Sequence, residues 1–225
     1  MARLRASSRE RRRAGLEVAC SDRYPDIIYA IEVAERVMKS RARPSTAGAR
    51  DAFRLARHKW RAGERVDMSA LSRELGVNRV TLYRWVGSRE QLLVEVIWDL
   101  ARCNLEKADA AVKDSGPERV IQIVSRFIEK VIAHKGMQRW LANEGESAIR
   151  LMTRYQAGFQ PRLVEWLERL LQEEVDAERL DLPADVHEVA FVLEQLIESY
   201  VYLYPISGEK PRPRRAEPIL RMLLR

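Results

Sequence analysis

Between Ala49 and Leu93 the chain carries four helix starts within about forty residues, and this dense punctuation constrains the fold more than any other feature of the sequence. The run RDAFRLARHKWRAGERV sets Phe53, Ala56 and Trp60 at i, i+3 and i+7, one face of a helix, and Gly63 stands where a helix C-terminus favours a left-handed residue. Asp67 is placed to cap the next helix, with Val66 and Leu71 in the register of a hydrophobic staple. That helix is short, Met68 to Leu75. Gly76 then permits a tight turn, and Asn78 opens a helix to about Val86 with Val77 and Leu82 as a second staple. Ser88 with Gln91 makes an S-x-x-Q capping box that starts a long amphipathic helix through Leu92, Val96 and Leu100 to about Lys113. Short helices joined by a glycine turn describe a helix-turn-helix.

The remaining segments also repeat with helical rather than alternating periodicity, so the fold class expected is all-α. Pro117 is placed to start a helix through Val120, Val124, Phe127 and Val131; Gly136 is expected to interrupt, and Trp140 to lie in a short helix. AIRLMTRYQAGF follows, then PRLVEWLERLLQEEV with Pro161 in a first turn. The most continuously apolar helix is expected from Ala184 to Tyr204, between Pro183 and Pro205, and a short terminal one over EPILRMLL. Three regions result: a basic N-terminal extension over residues 1–45, with a helix presenting Ile27, Ile31, Ala34 and Met38; a DNA-binding domain over 46–93; and a larger helical domain over 94–225. The stretch RARPSTAG, Arg41 to Gly48, reads as a linker.

Charge separates the two halves. Residues 1–102 hold 22 Lys and Arg against 13 Asp and Glu, whereas residues 103–225 hold 18 against 20. A localised positive excess predicts a polyanionic partner. No apolar run is long enough to span a bilayer and the basic N-terminus lacks an apolar signal core, so a cytoplasmic protein with no membrane partner is expected. The expected partner is double-stranded DNA. Leu82 and Val86 hold the third helix from one side, leaving Arg79, Val80, Thr81, Tyr83 and Arg84 to face a major groove, where Arg reads guanine and the Val and Thr methyls meet thymine. Arg50, Asn78 and Trp85 complete the candidate DNA surface, and Ser88 and Arg89 open a helix whose free amides suit a phosphate.

In the second half Phe127, Trp140, Tyr155, Phe159, Trp166, Phe191 and Gln195 are candidates for a ligand cavity with a few polar tips. Catalysis has little support. His58, His134 and His187 stand in no catalytic motif, Glu173 and Glu174 read as solubility charges, and Cys20 and Cys103 have neither disulfide nor zinc spacing, so no cofactor or metal is expected.

The stretch Asp51 to Leu93 resembles the DNA-binding domain of TetR-type bacterial repressors, with Leu82, Tyr83, Trp85, Ser88, Arg89 and Leu92 on the positions of the family pattern. Val86 where phenylalanine is common, Asn78 where serine or threonine is common, and the long N-terminal extension are departures. LYRWVGSRE with AGERVDM is most similar to the actinobacterial branch associated with lactone signals and quorum quenching. The resemblance implies a homodimer formed by the last two helices, here about Ala184 to Tyr204 and Glu217 to Leu224, and a repressor that leaves a (pseudo)palindromic operator when a small, mostly apolar effector, a lactone among the possibilities, binds. The alternative is a basic protein that binds nucleic acid without sequence preference.

Overall fold

The computed structural model describes residues 47–210, 212 and 215–224; the N-terminal extension expected over 1–45 lies outside them. Among the described residues there are ten α-helices and no strand. They are α1 (Ala49–Ala62), α2 (Met68–Glu74), α3 (Arg79–Val86), α4 (Arg89–Ala111), α5 (Gly116–Ala133), α6 (Lys135–Thr153), α7 (Phe159–Val175), α8 (Val186–Val201), α9 (Leu203–Ser207) and α10 (Ala216–Leu223), with a 3₁₀ turn at Tyr155–Ala157.

The first helices start and stop where local chemistry dictates. The Ala70 amide donates to Asp67 Oδ1 at 2.8 Å and the Thr81 amide to Asn78 Oδ1 at 2.7 Å. Ser88 and Gln91 exchange both bonds of the capping box, at 2.7 and 3.1 Å. Gly63 ends α1 at φ 75°, a conformation costly for any residue with a Cβ. Ala52, Ala56 and Trp60 of α1, Leu71 of α2 and Leu82 of α3 are buried together.

From α4 onward the helices pack into a larger core. α7 runs along α8, α4 and α10 pack on α5, and α1 packs on α4 and on α6. That last contact changes the expected role of Gly136. The chain breaks at His134 (φ −75°, ψ 120°), and Gly136 lies in the first turn of α6. A Cβ there would lie 2.3 Å from the Trp60 carbonyl oxygen, so the glycine permits α1 and α6 to touch rather than ending a helix. The short helix expected around Trp140 and the next segment form one bent helix, with the bend at Glu144 (φ −136°, ψ 29°). α8 likewise stops at Val201 rather than Tyr204. Pro205 sits in the first turn of α9, where its missing N–H has no intrahelical acceptor to lose.

Glu174 corrects a second expectation. Its side chain is wholly buried, ion-paired with Arg119 of α5 and with Arg179, and accepts the Gly116 amide at 2.8 Å. Arg119 also holds Asp109 and Glu173. Burial opposes the Glu174 charge, but Arg179, the Gly116 amide and Arg119 together hold its carboxyl well below the usual range. These acids fasten α5 to the end of α7; solubility is not their role.

Candidate DNA-reading face and effector cavity

α3 is seated by one side and open on the other. Leu82 is fully buried, and Val86 and Trp85 are half-buried against the core. Trp85, expected on the DNA surface, is thus partly spent on holding the helix. Arg79, Val80, Tyr83 and Arg84 are exposed, Val80 at 67% and Tyr83 at 41%, and the Arg79 guanidinium lies 6.0 Å from the centre of the Tyr83 ring. Among the described residues no carboxylate pairs with Arg79 or Arg84. Thr81 is half-buried; Asn78 is exposed at the start of α3 with its amide oxygen committed to the cap; and Arg50 is exposed on α1.

Arg89 departs from its expected role as a phosphate ligand. Its guanidinium makes a two-pronged ion pair with Glu144 at 2.8 and 2.9 Å, and its Nε donates to the Val66 carbonyl at 2.7 Å. Glu144 is the residue at the bend of α6, so Arg89 ties the start of α4 and the chain before α2 to the larger helical unit. Its neighbour Ser88 keeps its hydroxyl on the Gln91 amide. Sequence reasoning also passed over Arg54, Arg57 and Arg61, which with His58 share one face of α1 and line one shallow depression. The spacing was readable; of these, Arg57 is tied to Asp99 at 2.8 Å.

A cavity of about 40 Å³ lies among α1, α4, α5, α6, α7 and α8, room for about two or three waters. Its walls include Trp60, Phe127, His134, Phe159, Glu198 and Tyr202. Of the seven residues expected there, Phe127 and Phe159 line it and five do not. Trp140 is buried behind Trp60, ring edge to face at 5.3 Å. Tyr155 is 72% exposed in the 3₁₀ turn, Trp166 packs half-buried elsewhere on the core, and Phe191 and Gln195 point outward because α8 turns Val189, Ala190, Leu193 and Ile197 inward. The periodicity of an apolar helix does not say which face is inner, and that is why those two were misplaced.

The cavity's polar groups are few. His134 stacks on Trp60 at 6.3 Å, and its Nδ1 accepts the Gly136 amide at 3.1 Å as the cap of α6. Burial and then Arg61 lower its pKa, which keeps the ring neutral. Glu198 lies on the wall, and burial followed by the neighbouring Glu194 pushes its carboxyl up to about 8. Among the described residues no group of three or more His, Cys, Asp or Glu could hold a metal ion, and no helix is long and apolar enough to cross a membrane.

Residues 115–225 match the family described as tetracyclin repressor-like, C-terminal domain. The transcriptional repressor QsdR from the TetR family of R. erythropolis has a similar solved structure, with 27% sequence identity, a TM-score of 0.69, and 80% of this chain and 96% of that chain covered. No curated protein matches the sequence.

Proposed function

The chain belongs to the TetR family of transcriptional regulators, DNA-binding proteins and not enzymes, and from that premise we propose that it is a repressor released from its operator by a small effector. Residues 46–93 are the DNA-binding domain, residues 94–225 hold the effector and the dimer contact, and the two share the continuous helix α4. In this reading two chains present α3 to successive major grooves of a (pseudo)palindromic operator, about 34 to 36 Å apart. Arg79 and Arg84 read base edges, and Val80 meets a thymine methyl. Phe191 and Val192 on α8 and Ile219 and Met222 on α10, all exposed and apolar, supply the dimer contact.

The observation that carries the proposal is the position of Trp60. It belongs to α1, packs in one core with Leu71 and Leu82, and is also a wall of the cavity. A cavity of about 40 Å³ cannot admit even a small organic molecule without moving its walls. An effector that displaces Trp60 therefore prefers a state in which α1, and with it α3, is repositioned, and that differential affinity sets the size of the response. The effector is mostly apolar, as most of the wall is. A lactone, which the quorum-quenching resemblance implies, is one neutral candidate.

The test is selection of duplexes from a random pool, followed by titration of the selected duplex against a scrambled one at fixed salt. An affinity ratio of about 10³ or more is expected of a specific regulator. A ratio near one at every salt concentration supports the alternative, a basic protein binding nucleic acid without sequence preference.

A further inference from the structure

Glu194 and Glu198 stand one turn apart on α8, the first buried and the second half-buried, and among the described residues no cation pairs with either. Glu194 is wholly buried, and the Oε1 atoms of both are shut off from solvent with no protein donor on either. Glu194 Oε2 accepts from the Gln195 side chain at 2.7 Å. The two carboxyl groups, and Gln160 of α7 beside them, lie within hydrogen-bonding reach. A proton shared between the two carboxyl groups relieves their repulsion, so the pair holds one proton at neutral pH, beside the cavity whose wall Glu198 joins. Two carboxylates held together away from water need a positive occupant between them, and in the empty site the shared proton is that occupant.

Among the described residues no lysine or arginine lines the cavity, and burial and then Arg61 lower the pKa of His134, the basic side chain on its wall. Tyr202, also on the wall, titrates far above neutrality because of burial and then these two acids. Trp60, Phe127, Phe159 and Tyr202 supply aromatic rings around the same space, and aromatic faces attract cations. We infer that the cavity is a site for a hydrophobic organic cation, an amine whose apolar body lies among these rings and whose ammonium displaces the proton shared by Glu194 and Glu198.

The charges balance. Before binding, two carboxylates share one proton; after binding, they share one ammonium, and the proton leaves to solvent. The net charge of the occupied pair is −1 in both cases. This rests on the reading of the cavity as the effector site and adds the chemical class of the effector. It also separates an amine from a neutral lactone by sign. An amine must expel the proton, so its affinity rises with pH, up to tenfold per unit, until the pair has lost the proton near pH 8. A lactone carbonyl would use the proton as a hydrogen-bond donor, so its affinity falls over the same range. The other groups around the pair do not confuse the reading: Gln160 and Gln195 do not titrate, burial and then Arg61 lower the His134 pKa away from this range, and Tyr202 titrates far above it.

The test is calorimetric titration of the full-length chain with phenethylamine, with phenethyl alcohol as the neutral isostere, and with γ-octalactone, from pH 6 to 9. Expected are at least tenfold tighter binding of the amine than of the alcohol at pH 7, close to one proton released per amine in buffers of different ionisation enthalpy, and loss of the preference in Glu198→Gln. The two unmutated comparisons stand even if the variant fails to fold. Equal or tighter binding of the alcohol or the lactone, an affinity that falls with pH, no proton release, or no binding of the amine overturns the proposal. The repressor reading is tested separately by the operator ratio. If the amine binds as expected and leaves operator binding unchanged, the site stands and the effector role fails.

Discussion

Two clusters of buried acid lie in the same bundle and are treated in opposite ways. At the junction of α5 and α7, Glu174 is wholly buried and meets Arg119, Arg179 and a backbone amide. On α8, Glu194 is as completely buried, shares a face with Glu198, and meets no cation among the described residues. Charge that is answered locally lowers its own pKa and fastens helices together; charge left unanswered beside a cavity holds a proton and waits for a ligand. The first arrangement belongs to the fold, the second to the site.

The largest expected difference between them is in stability. Arg119→Ala leaves Glu174 buried with part of its compensation gone and should cost about 3 to 5 kcal/mol of unfolding free energy. Glu198→Gln removes half of an uncompensated pair and should leave stability unchanged or slightly raised. Denaturant titrations of the two variants check this, and equal losses would erase the distinction. The pH dependence should differ in sign as well. The Glu174 carboxyl is depressed, so its contribution is present above the ordinary glutamate pKa and is lost as acid titrates it. The Glu198 carboxyl is raised, so the folded state binds more protons than the unfolded one and stability falls between about pH 5 and 8. Glu198→Gln should flatten the slope on that upper side and leave the acid limb as it is; melts across the range would show it.

What was readable in the sequence follows the range of the interaction involved. The caps at Asp67, Asn78 and Ser88 each join a side chain to an amide three residues on, so a short window contains both partners. Glu174 is satisfied by Arg119 and Gly116, 55 and 58 residues away, and Arg89 by Glu144, 55 residues away. No local pattern contains those pairs, which is why an apparent solubility charge and an apparent phosphate ligand both proved to be ties between helices. The cavity fails for a related reason: Trp60 and Glu198 reach it from helices far apart in sequence. The acids of α8 did leave a signal, two glutamates at i and i+4 in the register of Ala190 and Val201, which the helix turns inward.

On the surface the same contrast separates arginines. Arg79 and Arg84 have no carboxylate partner among the described residues, whereas Arg89 has a two-pronged one. The unpartnered pair should matter for DNA. Arg79→Ala or Arg84→Ala should cost roughly 1 to 3 kcal/mol of discrimination against the wrong base in the selected duplex. The fold should melt as before, because both side chains are exposed. Titration against duplexes altered at single positions gives the answer, and wild-type affinity in both variants would remove them as readers.

Arg89→Ala should have a smaller effect on stability than Arg119→Ala and the most selective effect on function. The ion pair is partly open to water, with the two side chains 19% and 23% exposed, so its loss should cost only about 1 to 2 kcal/mol. If Arg89 gripped phosphate, the variant would bind every duplex more weakly and its salt dependence would fall by about one contact. Because the guanidinium is instead held by Glu144 and the Val66 carbonyl, the salt slope should stay at the wild-type value. What should change is coupling. With the start of α4 released from the bend of α6, less of the displacement at the cavity reaches α3, and the factor by which a bound effector weakens operator binding should shrink. Glu144→Gln, which keeps the shape and removes the charge, should shrink it in the same direction. A double variant no worse than either single one would show that both act through this one pair.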